Sequence, residues 1–348
     1  MNVLLMGAGW VAEMVYVPFL SLLAQIKIIY ILDLDVESTK KRFIQYSKVK
    51  VISKGEQKNL KYEIVCILTP NYLHYENLLT FLEEGVRVLV EKPICINLEE
   101  LSNLNKSNSK INSSIFVSSP FRYRNDIQTI KQIISSNLLG DVYRVEINWL
   151  KRRGTPGASW FTKKKYSGGG VLIDMGPHLL DLFYWFFGKR KIKHSLSSAS
   201  DLFLNSGDAY ANWHKNNEAS YKNDSDVEDS LFSLLIYDDM ALSLNLSWAS
   251  NIENDYAEIK VFGSQATLGV LTSVGFSTNT LYKETQIKIN SISESKVQNL
   301  KIEDRKEPFR KMLFEFVTSD KPTLPNVDLS LHIMNDIFNI YNQTLMIK

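Results

Sequence analysis

Five short runs of aliphatic and β-branched residues, at 2–6, 26–32, 64–68, 86–90 and 115–118, recur through the first third of the chain. Helix-compatible stretches such as 11–24, 36–46 and 72–84 separate them. A strand buried on both faces reads as a continuous apolar run, and parallel neighbours need a long crossover between them. The alternation therefore predicts a doubly wound parallel α/β sheet of the Rossmann type.

The ends of these runs carry chemistry. The first closes on Gly7-x-Gly9-x-x-Ala12 and leads into a helix, the context that a dinucleotide fingerprint requires. Gly7 makes the tight turn, Gly9 lets backbone approach a pyrophosphate, and Ala12 lets helix pack on strand. Trp10 and Val11 then lie in the turn that brings the helix N-terminus to the phosphates. The second run ends in Asp33, placed to accept from ribose hydroxyls. A carboxylate there repels a 2′-phosphate, so NAD is expected over NADP. Lys40, Lys41 and Arg42 read as too far along the next helix to reverse this. The third run ends in Thr69-Pro70-Asn71-Tyr72-Leu73-His74 and the fourth in Glu91-Lys92-Pro93. Both turns open on the carboxyl edge where such sheets bind ligands. Asn71 and His74 are expected near the ribose or nicotinamide, His74 in the more structural role.

After Phe121 the pattern changes. Residues 126–138 read as helix, 142–151 as strand and 170–187 as helix, followed by half-buried strands at 230–237, 240–249 and 256–262. Segments 309–317 and 328–346 read as closing helices. The expectation is an α+β domain with a large, open, mainly antiparallel sheet over 122–348, following a dinucleotide-binding domain over 1–121. Within it, Asp174 and His178 stand four residues apart just after Gly168-Gly169-Gly170, which on a helix places both on one face. A glycine triplet permits close approach of backbone or ligand. Histidine, with an ordinary pKa of about 6.5, is suited to take a proton from a hydroxyl. A core helix whose polar groups satisfy one another is the alternative on this stretch alone.

The order GAGWVA, TPNYLH, EKP and GGG-x-x-x-D-x-x-x-H resembles the Gfo/Idh/MocA family of sugar and cyclitol oxidoreductases over nearly the whole chain. Phe121-Arg122-Tyr123, Val227-Glu228-Asp229, Leu246-Ser247-Trp248-Ala249 and Val261-Phe262-Gly263 resemble further motifs of that family. The resemblance implies a catalytic role for Lys92, Asp174 and His178. His178 would be acid or base, Lys92 would supply charge to the reacting oxygen, and Asp174 would hold a substrate hydroxyl. Asp181 would orient the histidine or simply serve the helix. Cofactor contacts would come from the fingerprint, Asp33, Thr69, Pro70, Asn71, His74, Glu91 and Lys92. Arg122, Tyr123, Arg153 and Trp160 join Asp174 and His178 as expected substrate-binding residues. The closing helix would pack back near the first domain. Two departures stand out. Pro177 lies between Asp174 and His178, where it can kink the helix. Asp238-Asp239-Met240 replaces an Asn-Gly turn and suggests a longer or different loop.

Composition narrows the partners. A net charge of +2 gives no field to draw nucleic acid or an anionic membrane, and no apolar run is long enough to span a bilayer. Cys66 and Cys95 read as reduced core residues, no His/Cys cluster suggests a metal, and the compartment is expected to be the cytoplasm. An open sheet face predicts a homodimer or homotetramer. Residues 151–165 hold six Lys and Arg, either a solvated rim or a phosphate reader through Arg152 or Arg153. The polar segment 205–226 reads as a loop, or as a lid using Tyr210, Trp213 and His214. Two alternatives to the NAD-dependent sugar oxidoreductase remain: an NADPH-dependent reductase of a small carbonyl, and a non-catalytic sensor of NAD or sugar.

Overall fold

The computed structural model describes residues 1–82, 85–107, 114–204, 209–211, 224–276 and 279–347. The first elements are β1 (Asn2–Met6), a π-helical turn (Ala12–Tyr16) running into α1 (Val17–Leu22), β2 (Ile28–Leu32), α2 (Val36–Phe43) and β3 (Val49–Ile52). Next come β4 (Ile64–Ile67), α3 (His74–Phe81), β5 (Arg87–Val90), α4 (Leu98–Ser107) and β6 (Ile115–Val117). The middle of the chain forms α5 (Asn125–Ser135), β7 (Val142–Leu150), α6 (Lys164–Ser167), α7 (Val171–Phe187) and β8 (His194–Ser200). After it run β9 (Ser230–Ile236), β10 (Ala241–Ser247), β11 (Tyr256–Gly263), β12 (Ala266–Thr272), β13 (Glu284–Ser291) and β14 (Ser295–Lys301). The chain closes with α8 (Glu307–Thr318), α9 (Val327–Asn342) and β15 (Thr344–Met346).

These elements form two compact units, residues 1–123 with 306–334, and residues 124–305 with 335–348. The division differs from the expected 1–121 and 122–348, because residues 306–334 fold with the first unit. The reason is packing: Val117 N–H donates to the Pro325 carbonyl (3.0 Å), and Phe116 meets Phe316 edge-on at 6.0 Å. Met312 and Phe316 of α8 are fully buried there.

The first unit holds a six-stranded sheet in the order β3-β2-β1-β4-β5-β6 with every pairing parallel. This is the doubly wound Rossmann order, with its switch point between β1 and β4. Strand β3, VKVI, escaped the sequence reading because Lys50 breaks its apolar run and it lies at the sheet edge. Pro18 lacks the N–H that a helix needs from its position, and the chain widens into the π turn just ahead of it.

The second unit holds a nine-stranded sheet in the order β14-β13-β12-β11-β7-β10-β9-β8-β15. Pairs β7–β10 and β8–β15 are parallel and the others antiparallel. Asp238 and Asp239 do not make a longer loop: β9 and β10 join through a tight hairpin in which Tyr237 N–H donates to the Met240 carbonyl (2.9 Å). Helix α7 packs on β9 and β10.

At the start of this unit a buried ion pair ties helix to sheet. Arg124 Nη2 meets Asp126 Oδ2 at 2.6 Å, and the same carboxylate oxygen accepts from the hydroxyls of Thr272 (2.8 Å) and Thr285 (2.9 Å). Burial alone would raise the Asp126 pKa, but the Arg124 guanidinium and the two hydroxyls hold it at about 2. A depressed carboxylate stabilises the fold above its unfolded pKa, and that contribution fades as pH falls from about 4 through about 2. Asp126→Ala is expected to lower the unfolding free energy by about 3 kcal/mol at pH 7, since Arg124 is left buried without it. Denaturant titration checks this, and the deficit should shrink as pH falls from 5 toward 2.

Candidate active site

In the first unit the polar strand ends gather on the carboxyl edge of the sheet. Gly7 has φ +98°, and a Cβ there would stand 2.9 Å from the Leu68 carbonyl oxygen at the end of β4, so the turn demands glycine. A Cβ on Gly9 would meet nothing within 4 Å, which leaves that face of the turn open. Ala12 is fully buried beneath the helix start. Trp10 and Val11 are half-buried. Asp33 Oδ2 accepts from Ala8 N–H (2.7 Å) and Oδ1 from Asp35 N–H (3.0 Å), which holds the carboxylate beside the fingerprint. Arg42 of α2 reaches back to the fingerprint loop: its Nη1 donates to the Ala8 carbonyl (2.7 Å) and meets Glu13 Oε2 at 3.1 Å. Asp33 and Arg42 thus grip the two sides of one residue of the loop. A tight turn, an open glycine and a carboxylate after β2 fit the pyrophosphate and ribose of a nicotinamide dinucleotide.

The neighbouring strand ends are cross-braced. His74 is buried, and its ring nitrogens face the carbonyls of Pro93 (2.7 Å) and Thr69 (2.6 Å). Burial pushes its pKa below the ordinary histidine value. In keeping with the more structural role expected of it, His74 clamps the 69–70 turn to the turn after β5. Thr69 Oγ1 accepts from Asn77 Nδ2 (3.0 Å), and Asn71 is buried. Glu91 accepts from the Tyr16 hydroxyl (2.8 Å), and burial raises the pKa of both groups. Lys92 and Pro70 are half-buried beside these turns, and the Lys92–Pro93 peptide is cis. Arg122 and Tyr123 are buried in the first unit, where Arg122 Nη1 donates to the Thr323 carbonyl (2.6 Å) and Tyr123 donates to Glu315.

In the second unit α7 runs from Val171 to Phe187 with Pro177 inside it, and Asp174 and His178 stand four residues apart on one face of that helix. From Val171 to Tyr184 every residue is buried except these two. Asp181 is buried. The glycine triplet admits protein rather than ligand. A Cβ on Gly170 would fall on the Glu228 carbonyl, and one on Gly169 on the Tyr341 hydroxyl. The four donors at the helix start are satisfied from within. Glu228 takes Gly170 N–H (Oε2, 3.0 Å), Leu172 N–H (Oε1, 3.0 Å) and Val171 N–H (backbone carbonyl, 3.0 Å). Tyr341 Oη takes Ile173 N–H (3.2 Å) and donates to Glu228 Oε1 (2.8 Å). Burial raises the Glu228 carboxyl above its ordinary pKa against these hydrogen bonds. Asp174 Oδ2 accepts from the indole N–H of the fully buried Trp248 (2.9 Å).

Glu228, Trp248 and Tyr341 are the residues that reasoning from chemistry missed. The first two stood in quoted motifs without a role, and Tyr341 carried no signal. Arg153 donates to the neighbouring Arg152 carbonyl (2.7 Å) and Trp160 stacks on Phe161 at 3.9 Å. Tyr210 pairs with Thr155, while Trp213 and His214 of the suggested lid lie outside the described residues. Cys66 and Cys95 are free and buried, and burial pushes both thiols up. Among the described residues no helix is long and apolar enough to cross a membrane, and no His, Cys, Asp and Glu gather as a metal site.

Residues 1–118 match the oxidoreductase family with an NAD-binding Rossmann fold, and residues 127–269 match the GFO/IDH/MocA C-terminal domain. The chain belongs to the Gfo/Idh/MocA family of oxidoreductases. It is 31% identical over 280 residues to a protein of Amycolatopsis mediterranei (strain S699) provisionally named UDP-kanosamine synthase oxidoreductase subunit, covering 78% of this chain and 75% of that one. It is 27% identical over 270 residues to D-glucoside 3-dehydrogenase of Escherichia coli (strain K12), covering 76% of each. The fold matches GenD2 of gentamicin A biosynthesis in complex with NAD, with TM-score 0.74 and 18% identity over 99% of this chain and 93% of that one. This Gfo/Idh/MocA protein is an enzyme with an NAD(P)-binding Rossmann domain, from a family of sugar oxidoreductases.

The glycines of its two motifs separate by experiment. Gly170→Ala is expected to destabilise by several kcal/mol, about 3 or more, because the Glu228 carbonyl must move. Gly9→Ala should leave the melting temperature nearly unchanged and weaken NAD(P)H binding. Differential scanning calorimetry and fluorescence titration of NADH check the pair.

Asp229 supplies a pH test. It is fully buried, its Oδ2 accepts from Phe203 and Leu204 N–H, and burial pushes its pKa up to about 6. A raised carboxyl makes the fold lose stability as pH rises from about 4 to about 6. Asp229→Asn should therefore raise the melting temperature relative to the unaltered protein more at pH 8 than at pH 5.

Proposed function

We propose that the protein moves a hydride between nicotinamide and a secondary hydroxyl or keto carbon of a hexose-type sugar, free, as a glucoside or as a nucleotide-sugar. The observation that carries the reading is the pair Asp174 and His178, the only residues left partly exposed from Val171 to Tyr184 of a helix capped from within. Bound nicotinamide supplies the hydride acceptor or donor at the carbon. His178 takes the hydroxyl proton in oxidation and returns it in reduction. Asp174 accepts a hydrogen bond from a sugar hydroxyl. Lys92 supplies positive charge toward the reacting oxygen. The names of the two sequence relatives, a glucoside 3-dehydrogenase and a UDP-sugar oxidoreductase subunit, support a pyranose ring and favour its 3-carbon.

NAD is the proposed cofactor, because the Asp33 carboxylate stands where a 2′-phosphate would be repelled. The Arg42 guanidinium at the Ala8 carbonyl favours a second reading, use of NADP, in which it answers the phosphate charge. A homodimer or homotetramer is proposed through the outer face of the nine-stranded sheet, where Leu196, Phe232 and Leu234 are exposed on β8 and β9. Sedimentation of Phe232→Glu should show smaller particles. The proposed compartment is the cytoplasm.

The experiment is absorbance at 340 nm with NAD or NADP and a panel of methyl glucoside, glucose 6-phosphate, UDP-glucose and myo-inositol. Reduction with a glucosyl compound is expected. Silence in oxidation, and with the corresponding 3-keto sugars and NADH or NADPH, would contradict the reading. Lys92→Ala should lose turnover at least about a hundredfold while keeping NADH affinity. Asp33→Ala should narrow any preference for NAD over NADP.

A further inference from the structure

The indole N–H of Trp248 donates to Asp174 Oδ2, and the residue that makes this bond is held firmly. The side chain is fully buried, and both backbone groups of the residue are tied down: Trp248 N–H donates to the Asp229 carbonyl (2.8 Å), and its carbonyl accepts from Gly154 N–H (2.7 Å). Glu228, the neighbour of Asp229, caps the helix that carries Asp174. Two adjacent residues therefore fix both ends of the Trp248–Asp174 hydrogen bond. An indole N–H only donates and does not titrate, so it holds the carboxylate in one orientation across the working pH range. Asp174, with Oδ2 engaged at 2.9 Å, is partly exposed on the face of α7 that His178 shares.

We propose that Trp248 is a positioning residue that orients Asp174 to accept a sugar hydroxyl, so that it serves substrate affinity more than the proton transfer. The inference rests on the hydroxyl-binding role given to Asp174 above. A carboxylate free to rotate would hold the same hydroxyl more weakly, because its orientation would have to be fixed at binding. A fixed carboxylate also discriminates. A sugar whose hydroxyl at that carbon is replaced by hydrogen leaves a partly buried charge without its partner.

Trp248→Phe removes the N–H and keeps an aromatic ring. With the sugar turned over in the panel, methyl glucoside or UDP-glucose, KM is expected to rise about tenfold or more with kcat changed less than threefold and NADH affinity unchanged. Asp174→Asn combined with Trp248→Phe should be no worse than the poorer single variant. Equal kinetics in Trp248→Phe, a loss confined to kcat, or additive losses in the double variant would overturn the proposal. A second readout needs no substrate. With ¹⁵N-indole labelling, the Trp248 signal, assigned by its disappearance in Trp248→Phe, should shift in Asp174→Ala and stay in place in Asp33→Ala. An unmoved signal in Asp174→Ala overturns the proposal even where turnover is found. A silent panel with a shifted signal contradicts the hydride-transfer reading and leaves the Trp248–Asp174 bond standing.

Discussion

A helix start closed by its own protein is the constraint on which the second unit depends. The first turn of α7 offers four N–H groups with no partner inside the helix, and in many proteins such a turn is left for an anion. Here Glu228 and Tyr341 take all four, and the glycines at 169 and 170 exist to let them in. The carboxylate also complements the positive end of the helix dipole. With its start sealed, α7 buries its length against the core and presents polar groups only at Asp174 and His178.

The first unit solves a different problem. Its glycine turn must be tight at Gly7 and open at Gly9, and the difference is visible in what a Cβ would meet at each. Asp33 and Arg42 hold Ala8 by its N–H and its carbonyl, so the loop is shaped before any ligand arrives. His74 and Glu91 do the same for the turns after β4 and β5, each bonded to protein. Such pre-organisation lowers the ordering cost of binding.

Much of this was legible in the sequence because it is local. Apolar runs of fixed length mark buried parallel strands, and the glycine spacing, Asp33 and the Asp174–His178 interval are read within a few residues of one another. What escaped depends on residues far apart in the chain. Tyr341 reaches Glu228 across more than a hundred residues, and no pattern near either announces it. Pro177 sits inside a helix that continues ten residues past it, because neighbouring packing outweighs one lost hydrogen bond. The Ser-rich β8 and the charged β13 carry little apolar signal, yet they pair with the more apolar β9 and β12, and β14 is added at the edge on β13. Periodicity alone did not place residues 306–334, since amphipathic helices do not name the surface they cover; only the family resemblance pointed the closing helix back toward the first domain.

The measurement that bears most directly on the chemistry is turnover by His178→Asn, followed at 340 nm with the best sugar of the panel, beside NADH affinity and melting temperature. Turnover is expected to fall at least about a hundredfold, with affinity and stability kept. Turnover within a few-fold of the unaltered protein would contradict the assignment of proton transfer to His178, and with it the role given to the exposed face of α7.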